Sequence, residues 1–280
     1  MAAVSVEAFP DFSPCPRVGV TVTGLSVGNS IISVWRTADG ERSPVRGARR
    51  VPMNDAGYVI DYDAPLGRPI TYELEVLSGP GGATRVTSSA VAVDATEGCI
   101  MDPLVPQSAI GVTGTKDGKG SAYLRATALS ALEYSADVSV FNVMGSDKPL
   151  ALFGQRMAER GLDTSMGVRS AEANAQLKNL LRSTAQLLFR PLPSWGEFEL
   201  PGTLFLANAT ATQVPVDVSW GGELTWWEMK SDVVAAPTIR VLTATFTYGD
   251  VAILIGTYGQ KQDLMAGKSY LDDLKNPLGG

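Results

Sequence analysis

Hydrophobic and polar positions alternate in short runs over the first hundred residues. Val18, Val20 and Val22 stand one residue apart, and Ile70, Tyr72, Leu74 and Val76 alternate with Thr71, Glu73 and Glu75. A period of two is what a strand with one buried face requires. Ile31–Trp35 follows the turn residues Gly28-Asn29-Ser30, and Gly57–Tyr62 and Arg85–Val93 repeat the pattern on either side of the Ser78-Gly-Pro-Gly-Gly82 cluster. Roughly six or seven short strands punctuated by Gly and Pro predict a β-sandwich over residues 1–95. Residues 96–110, with Asp102-Pro-Leu-Val-Pro106, read as a junction, because proline and glycine interrupt regular structure.

The second half mixes periods. Strand patterns occur at Asp137–Met144, Lys148–Phe153, Leu162–Arg169, Gly202–Ala207, Thr212–Trp220 and Glu223–Lys230, after a polar loop at Gly111–Gly120. One helix is predicted over 171–189. Ser170 is placed to cap it, Glu172 sits in the first turn, and Ala173, Leu177, Leu180, Leu181, Thr184, Leu187 and Leu188 form an apolar stripe. Arg190-Pro-Leu-Pro193 ends it. These elements give a β domain with one helix over 111–240. An extension over 241–280 is partly helical, from near Thr247 and again at Ser269–Lys275.

The first segment resembles a fibronectin type III or immunoglobulin-like module. The likeness rests on Trp35 and on Pro69-Ile-Thr-Tyr72-Glu-Leu-Glu-Val76, with the glycine turn and closing strand that follow. It implies a Trp that fills the core and a Tyr that tethers a strand corner through its hydroxyl.

Composition narrows the chemistry. The 280 residues include no histidine and two cysteines, which removes Ser-His-Asp and Cys-His catalysis and every His or four-Cys zinc site. With a formal net charge of -6, the chain lacks the basic surface of a nucleic-acid binder. No run reaches the roughly 18 apolar residues of a membrane span, and the N-terminal stretch lacks the basic and apolar regions of a secretory signal. The expectation is synthesis in a cytoplasm with Cys15 and Cys99 reduced. No catalytic, cofactor or metal residue is assigned.

Few motifs remain. Gly114-Thr-Lys-Asp-Gly-Lys-Gly120 lacks the spacing of a phosphate loop, and Asp61 and Asp63 read as a solvated turn before Ala64-Pro65. The arginines at 42, 46, 49 and 50 read as a solvated edge that discourages stray strand pairing. Trp220, Trp226 and Trp227 form the densest aromatic cluster. On a strand Trp226 and Trp227 face opposite ways, so core packing, a subunit contact and a sugar-stacking platform are all open for them.

Taken in order, Asp102-Pro-Leu-Val-Pro106, Val138-Ser-Val-Phe-Asn-Val-Met144, the Ser170–Leu181 helix, Leu188-Phe-Arg-Pro191, Leu224-Thr-Trp-Trp227, Val233-Val-Ala-Ala-Pro237 and Tyr270-Leu-Asp-Asp-Leu274 resemble minor tail proteins of long-tailed bacteriophages that infect actinobacteria. The resemblance implies a non-enzymatic virion protein of the distal tail or tail tip, assembled in the host cytoplasm. Its second domain would be similar to the tail-tube and distal-tail β-barrel. Its partners would be copies of itself in a ring, hexameric or trimeric, and neighbouring tail proteins, with no sequence-specific nucleic acid and no membrane insertion. A carbohydrate- or receptor-binding module of the tail tip is the alternative. In the ring reading, the loop 111–120 is an arm that orders on assembly.

Overall fold

In the computed structural model the fold is mainly β. The structure describes residues 2–113, 121–129, 136–142, 144, 147–156, 160–195, 200–216, 224–238, 255–269 and 272–273. The chain divides into two units. One comprises Met1–Ala109, Leu188–Thr203 and Pro237–Gly280, the other Ile110–Leu187 and Leu204–Ala236.

The first unit opens with eight strands: β1 (Ala3–Phe9), β2 (Arg17–Thr23), β3 (Asn29–Ala38), β4 (Glu41–Pro44), β5 (Val51–Asn54), β6 (Gly57–Asp61), β7 (Ile70–Ser78) and β8 (Thr84–Thr87). They sort into one sheet of order β1-β2-β6 and another of order β4-β3-β7-β8, with β5 also pairing β3. The alternation seen in the sequence supplies the core. Val18, Val20 and Val22 are buried from the first sheet, and Ile32, Val34, Ile70, Tyr72 and Leu74 from the second. Burying a side chain of this size contributes about 1.5–3 kcal/mol.

Trp35 does not fill that core. Ile32 and Val34 point inward, so period two turns Trp35 outward. There its Nε1 donates to Glu75 at 2.8 Å, and the Arg42 guanidinium covers the ring at 3.9 Å from its centroid. Tyr72 does act as a tether, donating its hydroxyl to Asp61 Oδ2 at 2.9 Å.

The expected junction at 96–110 is largely strand: β9 (Gly98–Asp102) and β10 (Val105–Thr113). Pro103 and Leu104 make the turn between them, so the proline links two strands rather than ending regular structure. The Asp102 carboxylate accepts from Leu104 N at 2.8 Å, and the Ser108 hydroxyl accepts from Asp102 N at 2.8 Å and donates to Val105 O at 2.6 Å.

The remaining elements are β11 (Ala122–Leu124), β12 (Ala136–Phe141), β13 (Leu150–Arg156), β14 (Leu162–Asp163), β15 (Met166–Val168), α1 (Ala171–Ser183), β16 (Gln186–Arg190), β17 (Leu204–Pro215), β18 (Thr225–Val233) and α2 (Tyr258–Leu264). One sheet has the order β18-β15-β11-β10-β9-β16-β17, and β17 pairs back to β18, which closes seven strands into a barrel. Among the described residues β12 and β13 form a two-stranded antiparallel sheet.

Ser170 caps α1 as predicted, its hydroxyl accepting from Ala173 N at 3.0 Å, and Ala173, Leu177 and Leu180 form the buried stripe. The helix ends at Ser183, not at 189. Thr184 is extended, its hydroxyl accepts from Gln186 N, and Leu188, Phe189 and Arg190 pair with Met101, Ile100 and Cys99. Leu187 and Leu188 are consecutive apolar residues, which extend a helical stripe and equally suit a strand covered on both faces. Pairing to β9 selects the strand.

The loop residues 114–120, Trp220 and the helix start expected near Thr247 lie outside the described residues, as does most of Ser269–Lys275. The helix that is described nearby, α2, begins later, at a capping box formed by Thr257 and Gln260.

Candidate functional site

Three places concentrate chemistry or unmatched surface. The first is the tryptophan pair. Trp227 is buried, and its Nε1 donates to Asn174 Oδ1 of α1 at 2.9 Å. Trp226 lies half-buried on the opposite face of β18. Register places Tyr123, Gly167, Trp226 and Val214 side by side across β11, β15, β18 and β17. Tyr123 and Trp226 meet edge to face, with centroids 5.4 Å apart. The Tyr123 ring lies directly over Gly167, where a Cβ would stand 2.4 Å from Tyr123 Cζ and would push the ring aside. Arg169 lies over the Tyr123 ring at 5.4 Å, and Arg125 lies over Trp226 at 5.8 Å and bridges to Glu228 at 3.3 Å. The pair that the sequence singled out therefore splits into one core residue and one member of an aromatic, arginine-edged wall.

The second place is a buried ionic cluster in the first unit. Asp61 and Asp63 are not a solvated turn: they are 1% and 4% exposed. Arg36 Nη1 donates to both oxygens of Asp61 at 3.1 and 3.0 Å. Arg46 grips Asp63 through Nε at 2.8 Å and Nη2 at 2.6 Å. Burial opposes the charge on Arg36, but Asp61 and Asp63 outweigh it and raise its pKa. Burial, and then the Asp61 charge, push the Tyr72 hydroxyl well above its ordinary range. The four arginines at 42–50 accordingly do different work. Arg46 is inside, Arg42 joins Trp35 and Glu73, and Arg49 and Arg50 are exposed.

Next to this cluster Arg190 is fully buried, donating from Nη1 to Pro16 O at 2.7 Å and to Ala64 O at 3.2 Å. Cys15 and Cys99 are buried beside it and not joined. Burial pushes the Cys15 thiol up to about 12, with the Arg190 charge opposing. Sequence reading missed this arginine, taking Arg190-Pro191 as a helix stop. Each carboxylate oxygen of Asp61 and Asp63 already accepts from a guanidinium, so these groups are committed to holding segments together. Among the described residues no group of three or more Cys, Asp or Glu is placed to hold a metal. An open depression of about 430 Å³ is lined by Lys261, Met265, Lys268, Ser269 and Asp273.

The third place is the hairpin β12–β13, where Val138, Val140, Phe141, Leu150, Leu152 and Phe153 are all exposed, as is Met144 beyond β12. Scattered surface apolar residues are ordinary, whereas a contiguous set of this size marks a contact surface. The alternation over Asp137–Met144 predicts a strand partly covered on both faces; the structure instead leaves the large side chains of both faces exposed, because the alternation fixes which residues share a face and not what packs on it.

No family model matches the chain, and neither the curated proteins nor the solved structures contain a match to it.

Proposed function

We propose that the chain is a non-enzymatic structural protein of a bacteriophage tail, working by contact with copies of itself and with neighbouring tail proteins in a ring around the tail axis. The short motifs noted in the sequence motivate the tail assignment. The observation that carries the assembly reading is the hairpin β12–β13, with six large apolar side chains turned to water. Leaving such a surface exposed costs about 25 cal/mol per Å², and a neighbouring subunit removes that cost. Sedimentation velocity of the purified full chain over a wide concentration range tests this. Its mean mass should rise with concentration, and electron microscopy of the concentrated sample should show closed rings. A chain that stays monomeric at the highest attainable concentration overturns the reading.

The wall formed by Tyr123, Trp226, Arg125 and Arg169 favours a second reading, a carbohydrate-contacting module. A half-buried indole offers a flat apolar face, and the arginines offer donors to hydroxyl or carboxylate groups. In that case the chain binds acidic or neutral oligosaccharides, and Trp226→Ala weakens binding roughly three- to tenfold with an unchanged circular dichroism spectrum. Titration calorimetry that detects no heat with either class of sugar removes this reading.

A further inference from the structure

The register of the hairpin shows how copies would meet. In an antiparallel pair, residues directly opposite one another share a face. Val138 stands opposite Phe153 and Val140 opposite Ala151, while Ser139 stands opposite Leu152 and Phe141 opposite Leu150. One face is therefore Val138, Phe153, Val140 and Ala151, and the other is Ser139, Leu152, Phe141 and Leu150. Their large residues run from 44% exposed at Val138 to 78% at Phe153. An antiparallel hairpin that sits on one surface keeps its second face polar, and so does one lining a water-filled membrane pore. This hairpin keeps neither face polar. It requires cover on both sides.

The two faces also have complementary steps. Away from the Phe141–Leu150 end, the first face carries the bulky Val138–Phe153 pair, and toward that end the small Val140–Ala151 pair. The second face reverses this, with Ser139–Leu152 set back and the bulky Phe141–Leu150 pair at the end. Two hairpins pointing the same way thus place large against small when unlike faces meet, and large against large when like faces meet.

Resting on the self-assembly reading above, we propose that successive copies stack their hairpins in one direction, the Val138/Val140/Phe153 face of each against the Phe141/Leu150/Leu152 face of the next. This single contact covers both faces of every copy. Like-face pairing would need two separate self-complementary contacts to do the same. A contact between unlike faces is heterologous, so it propagates head to tail and closes into a ring when its rotation allows, rather than ending at a two-fold dimer. Each face offers only three large apolar side chains, a small contact beside the ~1,200 Å² of a stand-alone stable interface. An isolated pair is consequently weak, and ring closure supplies the added strength by making the last contact intramolecular.

Two variants test the polarity, Phe153→Asp on one face and Phe141→Asp on the other. Both side chains are already exposed, so the fold should survive, as circular dichroism would check, and Met144→Ser serves as a control that leaves both faces intact. At a concentration where the wild type forms assemblies, each variant alone should sediment as a monomer, its apparent Kd raised at least about tenfold, the equivalent of roughly 1.4 kcal/mol. At higher concentration, where a single contact without ring closure is populated, an equal mixture should give one-to-one heterodimers and nothing larger, because only one intact pair of unlike faces can form. Homodimers from either variant alone would show like-face pairing and overturn the proposal. So would variants that assemble as the wild type does, which would leave self-assembly standing through another surface. A wild type that remains monomeric would remove self-assembly itself.

Discussion

Replacing Asp61 with alanine lowers the stability of the first unit by about 3–5 kcal/mol, the range for stranding one partner of a buried ion pair. Asp61 is 1% exposed and accepts from Arg36, from the Tyr72 hydroxyl and from Asp63 N. Without it the guanidinium of Arg36 keeps its charge in a site where burial already opposes that charge, with Asp63 the remaining carboxylate nearby. The Tyr72 hydroxyl also loses its acceptor, a further cost of about 1–3 kcal/mol if nothing replaces it. Urea unfolding followed by tryptophan fluorescence measures the loss as a drop in midpoint at constant slope. The double variant Arg36→Met with Asp61→Leu separates charge from packing. It removes both ions together and should recover most of the stability, because the penalty comes from the unpaired cation rather than from the absence of the bridge. A loss below about 1 kcal/mol for Asp61→Ala, the ordinary cost of a point mutation, would show that water reaches Arg36 and that the cluster does not organise the core.

That cluster marks where sequence reading stops. The strand periods at 18–22 and 70–76, the inward faces they define and the Ser170 cap are local properties, set by residues one to four positions apart. They were legible. Partners separated by long stretches of chain were not. Asp61 and Asp63 before Ala64-Pro65 look like a polar turn, and only the return of β3 and of the segment after β4 brings Arg36 and Arg46 onto them. Arg190 is similar: as a local signal Arg-Pro ends a helix, but pairing with β9 carries the side chain into the interior against Pro16 and Ala64. Trp35 departs from what the fibronectin-like resemblance implies for a different reason, the period of Ile32 and Val34, which turns position 35 outward. The candidate contact surface was half visible. The sequence marked Trp226 and Trp227 as lying on opposite faces, and the structure puts Trp227 in the core and Trp226 on the wall. The alternation over Asp137–Met144 reads as a strand partly covered on both faces, and the exposure of β12 and β13 is a property of topology, since among the described residues they pair with each other.

Alkaline pH destabilises the first unit from about pH 9 upward, by about 1.4 kcal/mol for each pH unit that Cys15 alone controls. The sign follows from which state keeps its proton. Burial raises the Cys15 thiol from 9.0 to about 12 in the folded chain, the nearby Arg190 charge only partly offsetting it. Below pH 9 both states are protonated and the contribution is fully present. Between 9 and 12 the unfolded chain ionises while the folded one does not, so the unfolded state binds fewer protons and stability falls until the folded thiol also titrates. By pH 11 this amounts to about 3 kcal/mol. Tyr72 acts in the same direction at higher pH. Its phenol is raised well above the ordinary value of 10.0 by burial and by Asp61, so its share begins to be lost above about that pH. Urea midpoints measured at intervals between pH 8 and 11 should therefore bend downward first near 9 and more steeply past 10. Cys15→Ala tests the assignment. It costs some packing at every pH, but it abolishes the first bend and keeps the second. A wild type whose midpoint is level from pH 8 to 11, or a Cys15→Ala variant that retains the bend near 9, would mean that the thiol is solvated in the folded chain and that Arg190 sits in a wetter environment than its two carbonyl partners indicate.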